Sequence, residues 1–524
     1  MRIAGIAALP WSDFRRHDGD FLVNFGELFR TLESDPEHVR SHTRLLVKAI
    51  EWERSQRDDG FLLRGNDLAE SVHWLQASGN KIPAITDLQT LYIQTSQALP
   101  FRKIKPRAVV LATVATALAV SAIRLFGGLQ PLEIWAYDQF LRLRPNETEQ
   151  DERLLIVKVD APSGEWLREQ MIEGRYEPGI STIPDPALSE TIGVLNRHGA
   201  RLIGVDFFRD FPAQGALKND LAGVDNLFGI CQTASNQVSD IGNEMPGHRV
   251  GFANFLLDGG KTVRRHYLTQ LGTDRCPSEE SFTLLLAKTY LETEGISYGN
   301  TGDDQRLGVI TLGQVALPDI YGDGTAYSGN TENLGWSSLG DYQTLINFRT
   351  YHDPNDPDTS DQGSRLKNFA QQVSLESVLK DEVSPDLIRD RIVLIGYTDF
   401  SDRNSDDFNT PYDDSVPGVY LHGQMISQLI NAVLEERPLM RWWPFLGESG
   451  WILLWSSMGG LVFWWFVRPG PLLLAGLGSI SLLTLACYGF MVGPVIWVPW
   501  VPALVGWGMT GSAVGYMTYR LRRG

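Results

Sequence analysis

Four charged residues in the middle of the chain could form a small polar binding site. Asp160 and Asp206 each follow a short apolar run typical of a buried strand, in LLIVKVD and RLIGVDFF. Parallel strands place their carboxyl ends at one edge of a sheet, where α/β proteins bind ligands. Arg264 and Arg265 could complete a pocket for a small polar ligand. The alternative is that each carboxylate caps the turn or helix that follows it.

Motifs of the common enzyme classes do not occur in the sequence. It contains no G-x-S-x-G elbow, no H-E-x-x-H helix and no C-x-x-C pair. A phosphate-loop-like GGKT occurs at 259–262, but Phe255 stands where such a loop needs glycine. The nine histidines show no ligand spacing. We therefore expect no catalysis, no cofactor and no metal site.

Charge and cysteine content narrow the class of protein further. The net charge of -17 argues against a nucleic-acid partner, which would require a basic surface. Three cysteines are too few for a disulfide scaffold or a zinc module. Cys231 and Cys276 fall in the middle region, and Cys487 lies in an apolar run. We predict a disulfide between the first two if that region is outside the cytoplasm, with two separately buried thiols as the alternative.

Four apolar segments are long enough to cross a membrane. The first follows a basic run around Arg102 and reads AVVLATVATALAVSAI, with Arg124 near its far end, where it can snorkel to the interface. Three more begin at Trp451, Pro471 and Val495 and are joined by the short connections RPG and GP. Tryptophans at their ends are typical of the membrane interface. The sequence therefore predicts four transmembrane helices.

Lys and Arg residues near the spans predict their orientation. The basic run before the first span, Arg468 and the terminal RLRRG all fall on the cytoplasmic side of one four-span topology. Arg437 and Arg441 are the exception, because they fall on the outer side. Both termini are then cytoplasmic. The predicted parts are a cytoplasmic region (1–105), a first span (106–126), an outer domain (127–440) and three spans with a short tail (441–524).

Small residues predict where the first two spans pack. In the first span they share one helix face, and in the second they form a cluster. They are Ala112, Ala115, Ala119 and Ala122 in the first span, and Ser456, Ser457, Gly459 and Gly460 in the second. Small residues let membrane helices approach closely. The alternative is that they merely suit a bilayer.

The cytoplasmic region carries three predicted helices. Aliphatic residues recur among polar ones in PEHVRSHTRLLVKAIEWERSQ, which indicates an amphipathic helix. A second helix is predicted to begin with Asn66 as its N-cap, and a third to begin at Thr86 and end at Pro100. Short helices of this kind need a partner surface.

The outer domain alternates strand and helix signals. A strand, a helix and a second strand are indicated by LLIVKVD, ALSETIGVLNRHGA and RLIGVDFF, so we expect a parallel crossover unit. A third buried strand is RIVLIGY, and a long helix, VYLHGQMISQLINAVLEE, leads into the second span. Residues 297–365 indicate loops with short antiparallel strands. The predicted fold class is an α/β outer domain with a mixed, partly parallel sheet, four transmembrane helices and a short all-α cytoplasmic region.

The order of these segments resembles the CHASE domain family, type two subfamily. The resemblance is carried by LLIVKVD, GARLIGVDFF, DGGKTVRRH, DRIVLIGYTDFSD and NTPYDDSVPGVYLHGQMISQLI, followed by three terminal spans. It covers residues 127–520 and implies an extracytoplasmic sensory module in the inner (plasma) membrane of a bacterium. Family members are joined to a histidine kinase, a nucleotide cyclase or another output domain, and we expect none after RLRRG.

A second resemblance lies in residues 14–75, which begin FRRHDGDFLVNFGELF and end GNDLAESVHWL. This segment is similar to the last helix of bacterial TIR (Toll/interleukin-1 receptor) domains and the helical linker that follows it. The earlier part of a TIR domain, with the glutamate of NAD-cleaving members, is not among these residues. We therefore expect no NAD-cleaving activity. The segment is interpreted as an adaptor or as the remainder of a longer domain.

Together these features predict a sensor without catalysis of its own. An unidentified small outer ligand would bias the packing of the spans, and the N-terminal helices would pass the change to a cytoplasmic signalling or effector protein. Membrane lipid is the remaining expected partner, and a homodimer is left open. Two alternatives also stay open. One is a membrane anchor or scaffold that recruits effectors in a TIR-linked defence or stress pathway, and the other is an outer hydrolase.

Overall fold

The computed structural model describes residues 35–98, 104–177, 183–209, 211–232, 244–270, 272–273, 276–301, 308–320, 342–398 and 407–523. The chain divides into two compact units. The first comprises Met1–Thr113, Gly459–Leu472 and Met509–Gly524, and the second comprises Val114–Met458 and Leu473–Gly508. Residues 14–34 of the TIR-like segment, and Pro100, lie outside the described residues.

The helices and strands of the described residues are numbered in chain order. The helices are α1 (Pro36–Arg54), α2 (Gly65–Ala77), α3 (Asp87–Ala98), α4 (Pro106–Leu125), α5 (Gln130–Arg142), α6 (Ala161–Ile172), α7 (Asp185–Arg197), α8 (Gly215–Gly223), α9 (Phe282–Thr293), α10 (Gln362–Lys367), α11 (Leu375–Leu379), α12 (Pro385–Ile388), α13 (Gly418–Leu434), α14 (Phe445–Trp465), α15 (Pro469–Val492) and α16 (Trp500–Arg523). The strands are β1 (Asp151–Val159), β2 (Leu202–Asp206), β3 (Leu227–Cys231), β4 (Val250–Phe252), β5 (Leu256–Asp258), β6 (Thr262–Thr269), β7 (Tyr298–Asn300), β8 (Ile310–Leu312), β9 (Val315–Ala316), β10 (Tyr342–Leu345), β11 (Ala370–Ser374), β12 (Ile392–Tyr397), β13 (Asp407–Phe408), β14 (Val416–Pro417), β15 (Arg441–Trp442) and β16 (Ile496–Trp497).

The three N-terminal helices pack around a small apolar core of their own. Its largest member is Trp52 of α1, whose ring lies 5.5 Å from that of Tyr92 of α3. The predicted start of α3 is confirmed, because the Thr86 hydroxyl accepts a hydrogen bond from the Gln89 backbone N–H. Asn66 is not the N-cap of α2. The helix begins one residue earlier, at Gly65, whose φ of 55° suits a residue without a side chain.

A six-stranded sheet forms the centre of residues 127–440, the predicted outer domain, in the order β11-β1-β12-β2-β3-β4. All its neighbouring strands are parallel. The predicted antiparallel strands occur in separate small sheets, β7-β8-β9 and β10-β6-β5. The main sheet is therefore parallel throughout, whereas the sequence predicted a partly parallel one.

The sheet is covered on both faces, which explains its continuous apolar runs. Leu154 and Ile156 of β1 face a core that includes residues of α9 and α13. Leu155 and Val157 face the opposite core, which includes residues of α7 and α11. Successive residues of β1 therefore point alternately into two separate hydrophobic cores, one on each face of the sheet.

The predicted β1-helix-β2 unit is larger than expected. Two helices, α6 and α7, separate the strands along the chain, and β12 lies between them in the sheet. Ile392–Ile395 of β12 are fully buried. A strand this apolar is most stable in the middle of the sheet. There both of its faces pack against helices, and both of its edges pair with neighbouring strands.

Two helices of the described residues are long and apolar enough to cross a membrane, α4 and α15. The other two segments predicted as spans are also helical. Helix α14 begins at Phe445 rather than Trp451, and so includes Glu448. Helix α16 begins at Trp500 rather than Val495, because Ile496 and Trp497 pair with β15 instead.

Helix α4 buries a different face from the predicted alanine stripe. Its buried residues include Val109, Thr113, Ala117 and Val120. Ala115, Ala119 and Ala122 are exposed. The buried residues share a face with Arg124, because successive steps of three or four residues align on a helix. Arg124 pairs with Glu448 of α14, so this face of the helix includes the buried ion pair.

Candidate functional site

The two predicted aspartates lie at the carboxyl edge of the main sheet. Asp160 follows β1 and caps α6, since its Oδ1 accepts hydrogen bonds from the Ser163 backbone N–H at 3.1 Å and hydroxyl at 2.6 Å. Asp206 ends β2, and its Oδ1 lies 3.5 Å from Nε2 of His422 on α13. Asp160 therefore has the capping role that the sequence left as the alternative, and Asp206 lies beside a histidine that sequence reasoning did not assign to the site.

His422 belongs to a buried polar cluster that also contains His266. The His266 Nε2 lies 2.6 Å from the Thr283 hydroxyl, and His422 stacks on Phe255 with ring centroids 4.5 Å apart. Burial lowers the pKa of each histidine to about 3. Both rings are therefore neutral at physiological pH. Nδ1 of each ring is buried without a hydrogen-bond partner among the described residues.

Arg264 and Arg265 both form ion pairs with Asp258 of β5. Their nitrogen–oxygen distances to this carboxylate are 3.1 and 2.7 Å. Arg264 also donates two hydrogen bonds, at 2.8 and 2.7 Å, to Asp138 of α5. These ion pairs link β6 to the helix that follows the first long apolar helix. The two arginines that the sequence predicted to face a ligand therefore form ion pairs with Asp138 and Asp258 instead.

An open groove lies where the α/β domain leads into α14. Its cavity volume is about 740 Å³, within the range of small-molecule sites. One wall is formed by 295–297 and 313–315 around the β7-β8-β9 sheet, and the other by the end of α13 and the connection to α14. This second wall includes Glu436, Arg437 and Arg441.

The two arginines of the groove differ in their surroundings. Arg437 is largely buried and donates to Glu147 at 2.7 Å and to the Asn347 carbonyl at 2.8 Å. Burial lowers the pKa of its guanidinium. Arg441 is exposed, and its side chain forms no ion pair with any residue that the structure describes. The Arg441 backbone N–H donates to Val495 at 3.0 Å, which ties the groove wall to the connection between α15 and α16.

Sequence reasoning noted Arg437 and Arg441 only as an exception to the charge rule for orientation. That exception was the only hint in the sequence that these two arginines belong to a local site. The facing wall, around Gly313, gave no such signal, since small β-hairpins bring it there only in the folded domain.

Glu133 of α5 joins this helix to the start of α16. Its carboxylate accepts hydrogen bonds from the backbone N–H groups of Trp500, at 3.1 Å, and Val501, at 2.9 Å. The Trp497 indole donates to it at 3.2 Å. Burial raises the pKa of Glu133 to about 7, opposed by Arg124 and by the N–H donors.

The structure joins Cys231 and Cys276 in a disulfide, with Cα atoms 5.4 Å apart. Cys231 ends β3, and Cys276 lies in the segment before α9. The remaining cysteine, Cys487, is buried as a free thiol. In the part of the chain that the structure describes, no group of three or more His, Cys, Asp or Glu residues could hold a metal ion.

The CHASE2 domain family matches residues 115–461 of the chain. The match begins within α4 and ends within α14, so it includes the whole parallel sheet and both walls of the groove. CHASE2 domains are extracellular sensory domains. No curated protein and no solved structure shows significant similarity to the chain. The order of strands and helices and the family match agree, and the chain belongs to the CHASE2 domain family.

Proposed function

We propose that this chain is a sensory protein of the bacterial inner membrane with four transmembrane helices and both termini in the cytoplasm. Its outer domain binds a small ligand and has no catalytic activity of its own. The observation that carries the proposal is the CHASE2 match over 115–461, a sensory domain that begins and ends within long apolar helices. In the proposed topology the sensory module lies between membrane segments, where its shape biases their packing.

The groove between the β7-β8-β9 sheet and the end of α13 is the ligand site that we favour. It is large enough for a small molecule, whereas the histidine cluster is closed and the predicted arginines are paired. The exposed Arg441 and the neighbouring Arg437 favour an anionic ligand. Carboxylate or phosphate groups suit arginine because its guanidinium can donate two parallel hydrogen bonds.

The position of the groove suggests how ligand binding would be passed on to the C-terminal helices. Residues 436–441 line it and lead directly into α14. The same segment is bonded to Val495, before α16. A ligand that binds one geometry of this wall better than another therefore shifts the equilibrium between two arrangements of the C-terminal helices. The cytoplasmic partner would contact α1–α3, where Val47 and Phe61 are about half exposed.

The ligand proposal is tested by thermal unfolding of the full chain in detergent with a panel of dicarboxylates, inorganic phosphate and phosphorylated metabolites. A compound at 100 times its dissociation constant should stabilise the protein by about 2.7 kcal/mol, seen as a rise in Tm. The variant Arg441→Gln should lose most of this rise. Arg389→Gln, on an exposed surface arginine outside the groove, is the matched control and should keep it.

The same experiment separates the sensor from the membrane scaffold that recruits effectors. A scaffold requires no outer ligand, so no compound should raise its Tm. A Tm rise that survives Arg441→Gln would place the ligand elsewhere and refute the groove. An absence of any shift across the panel would favour the scaffold and would refute an anionic ligand.

A further inference from the structure

Helix α5 follows the first long apolar helix after a short turn and has two different faces. The inward residues are buried: Glu133, Ala136, Tyr137, Phe140 and Leu141. On the opposite face Leu132 is 56% exposed and Trp135 is 57% exposed. Phe126 before the helix and Leu143 after it are 90% and 64% exposed. Four exposed large apolar side chains on one short segment indicate an interaction site.

The buried face shows where α5 lies relative to the C-terminal helices. The Tyr137 ring lies 4.9 Å from that of Trp497, just before α16. The Tyr488 hydroxyl, near the end of α15, donates to the Leu143 carbonyl at 2.9 Å. Helix α5 therefore lies against the end of α15 and the beginning of α16.

We infer that the exposed face of α5 lies in the outer leaflet of the membrane, so that α5 is an interfacial helix bound to lipid. The inference rests on the proposed function, because it requires that α4 and α15 cross the membrane. Three features favour lipid over water. The helix directly follows α4, whose exposed apolar side chains include Leu118 and Leu125. Its exposed face carries Trp135, and tryptophan favours the membrane interface. An amphipathic helix suits the interface plane.

Lipid contact at this position would act on the α/β domain and on the C-terminal helices, because α5 contacts both. On its polar side α5 holds Arg264 of β6 through Asp138, and it holds the start of α16 through Glu133. A helix held by the bilayer on one side thus joins the outer domain to the C-terminal helices on the other. The structure therefore assigns α5 a lipid-facing and a coupling surface.

Site-directed spin labelling of the full chain in phosphatidylethanolamine/phosphatidylglycerol nanodiscs tests the inference. Single labels are placed at Trp135→Cys and Leu132→Cys in a Cys487→Ser background, without reductant so that the disulfide stays closed. Leu118→Cys in α4, 67% exposed, is the lipid reference. Ile172→Cys at the end of α6, 85% exposed, is an apolar residue on the outer domain and the water reference. Collisions with oxygen report lipid, and collisions with a polar nickel chelate report water.

We expect labels at 132 and 135 to show an oxygen-to-nickel accessibility ratio several-fold above that at 172 and approaching that at 118. A ratio equal to that at 172 would overturn the lipid contact. Low access to both reagents together with dipolar broadening would also overturn it, because a second copy of the chain would then cover the face. If the label at 118 itself resembled the one at 172, the proposed membrane function would fail instead, so the two failures are distinguishable.

Discussion

At the residue scale, the buried ion pair between Arg124 and Glu448 should be sensitive to single substitutions, because each charge depends on the other. The guanidinium donates to both carboxylate oxygens, with one distance of 2.8 Å, and the side chains are 11% and 4% exposed. We predict that Glu448→Gln destabilises the protein by about 3–5 kcal/mol, because it leaves a buried charge unpaired. Unfolding in mixed micelles measures the loss.

The matched variant removes both charges at once. Arg124→Met with Glu448→Leu should recover most of the stability lost in Glu448→Gln, since no charge then stays buried without a partner. If the double variant is as unstable as the single one, the ion pair does not account for the loss.

The buried histidines predict acid sensitivity of the outer domain. Their pKa is lowered from 6.5 to about 3 by burial, so the folded state resists protonation and the unfolded state does not. The stabilisation is complete above pH 6.5 and is lost as the pH falls toward 3, by about 1.4 kcal/mol per pH unit for each histidine. His422→Phe should reduce this dependence in melts from pH 7 to pH 4.5. Parallel curves for the variant and the parent would exclude the histidine as the cause.

The disulfide between Cys231 and Cys276 predicts dependence on oxidation. Closing a loop with a sequence separation of 45 residues should stabilise the outer domain by about 3–4 kcal/mol. Mass spectrometry of the non-reduced protein should find one free thiol, that of Cys487, and reduction should lower the Tm. Three free thiols in protein purified from the membrane would show that the bond does not form.

At the element scale, α14 packs closely against α4 and α16 at a glycine, Gly460. A Cβ at Gly460 of α14 would lie 3.0 Å from Thr510 and 3.3 Å from Thr113, tighter than ordinary contact. We predict that Gly460→Leu destabilises the protein by about 1–3 kcal/mol through overpacking, although leucine suits lipid. Gly478→Leu in α15 is the control, because nothing lies within 4 Å of its Cβ position.

A cysteine pair checks the same contact without adding bulk. Val109→Cys with Gly460→Cys should crosslink on mild oxidation, since Val109 Cγ1 lies 3.4 Å from the Cβ position of Gly460. Val110→Cys with Gly460→Cys provides the comparison, because Val110 is 62% exposed on another face of α4. Equal crosslinking of both pairs, or none in either, would contradict the packing of α4 against α14.

At the scale of the whole molecule, the proposed topology places residues 127–440 outside the cytoplasm. Alkaline phosphatase, which is active only outside, should be active when fused near residue 300 and inactive when fused after residue 524. A fluorescent protein that folds only in the cytoplasm should give the reciprocal result. Phosphatase activity at both positions, or at neither, would overturn a topology with both termini cytoplasmic.

The sequence alone determined those features that depend on nearby residues. The strands β1, β2 and β12 appear as continuous apolar runs because both faces of a parallel sheet are buried. The first apolar span was equally evident, because a bilayer needs about 20 uncharged residues in succession. The capping role of Asp160 was already open as an alternative, since it involves only Ser163.

Tertiary structure decided what depends on residues far apart in the chain. The place of β12 between β1 and β2 follows from which strands bury best together, and no local pattern encodes it. The buried face of α4 includes Arg124, whose partner lies 324 residues away, so the alanine stripe was a misleading guide to the packed face. The groove likewise forms only when the β7-β8-β9 sheet is folded beside the end of α13, because its two walls come from separate segments of the chain.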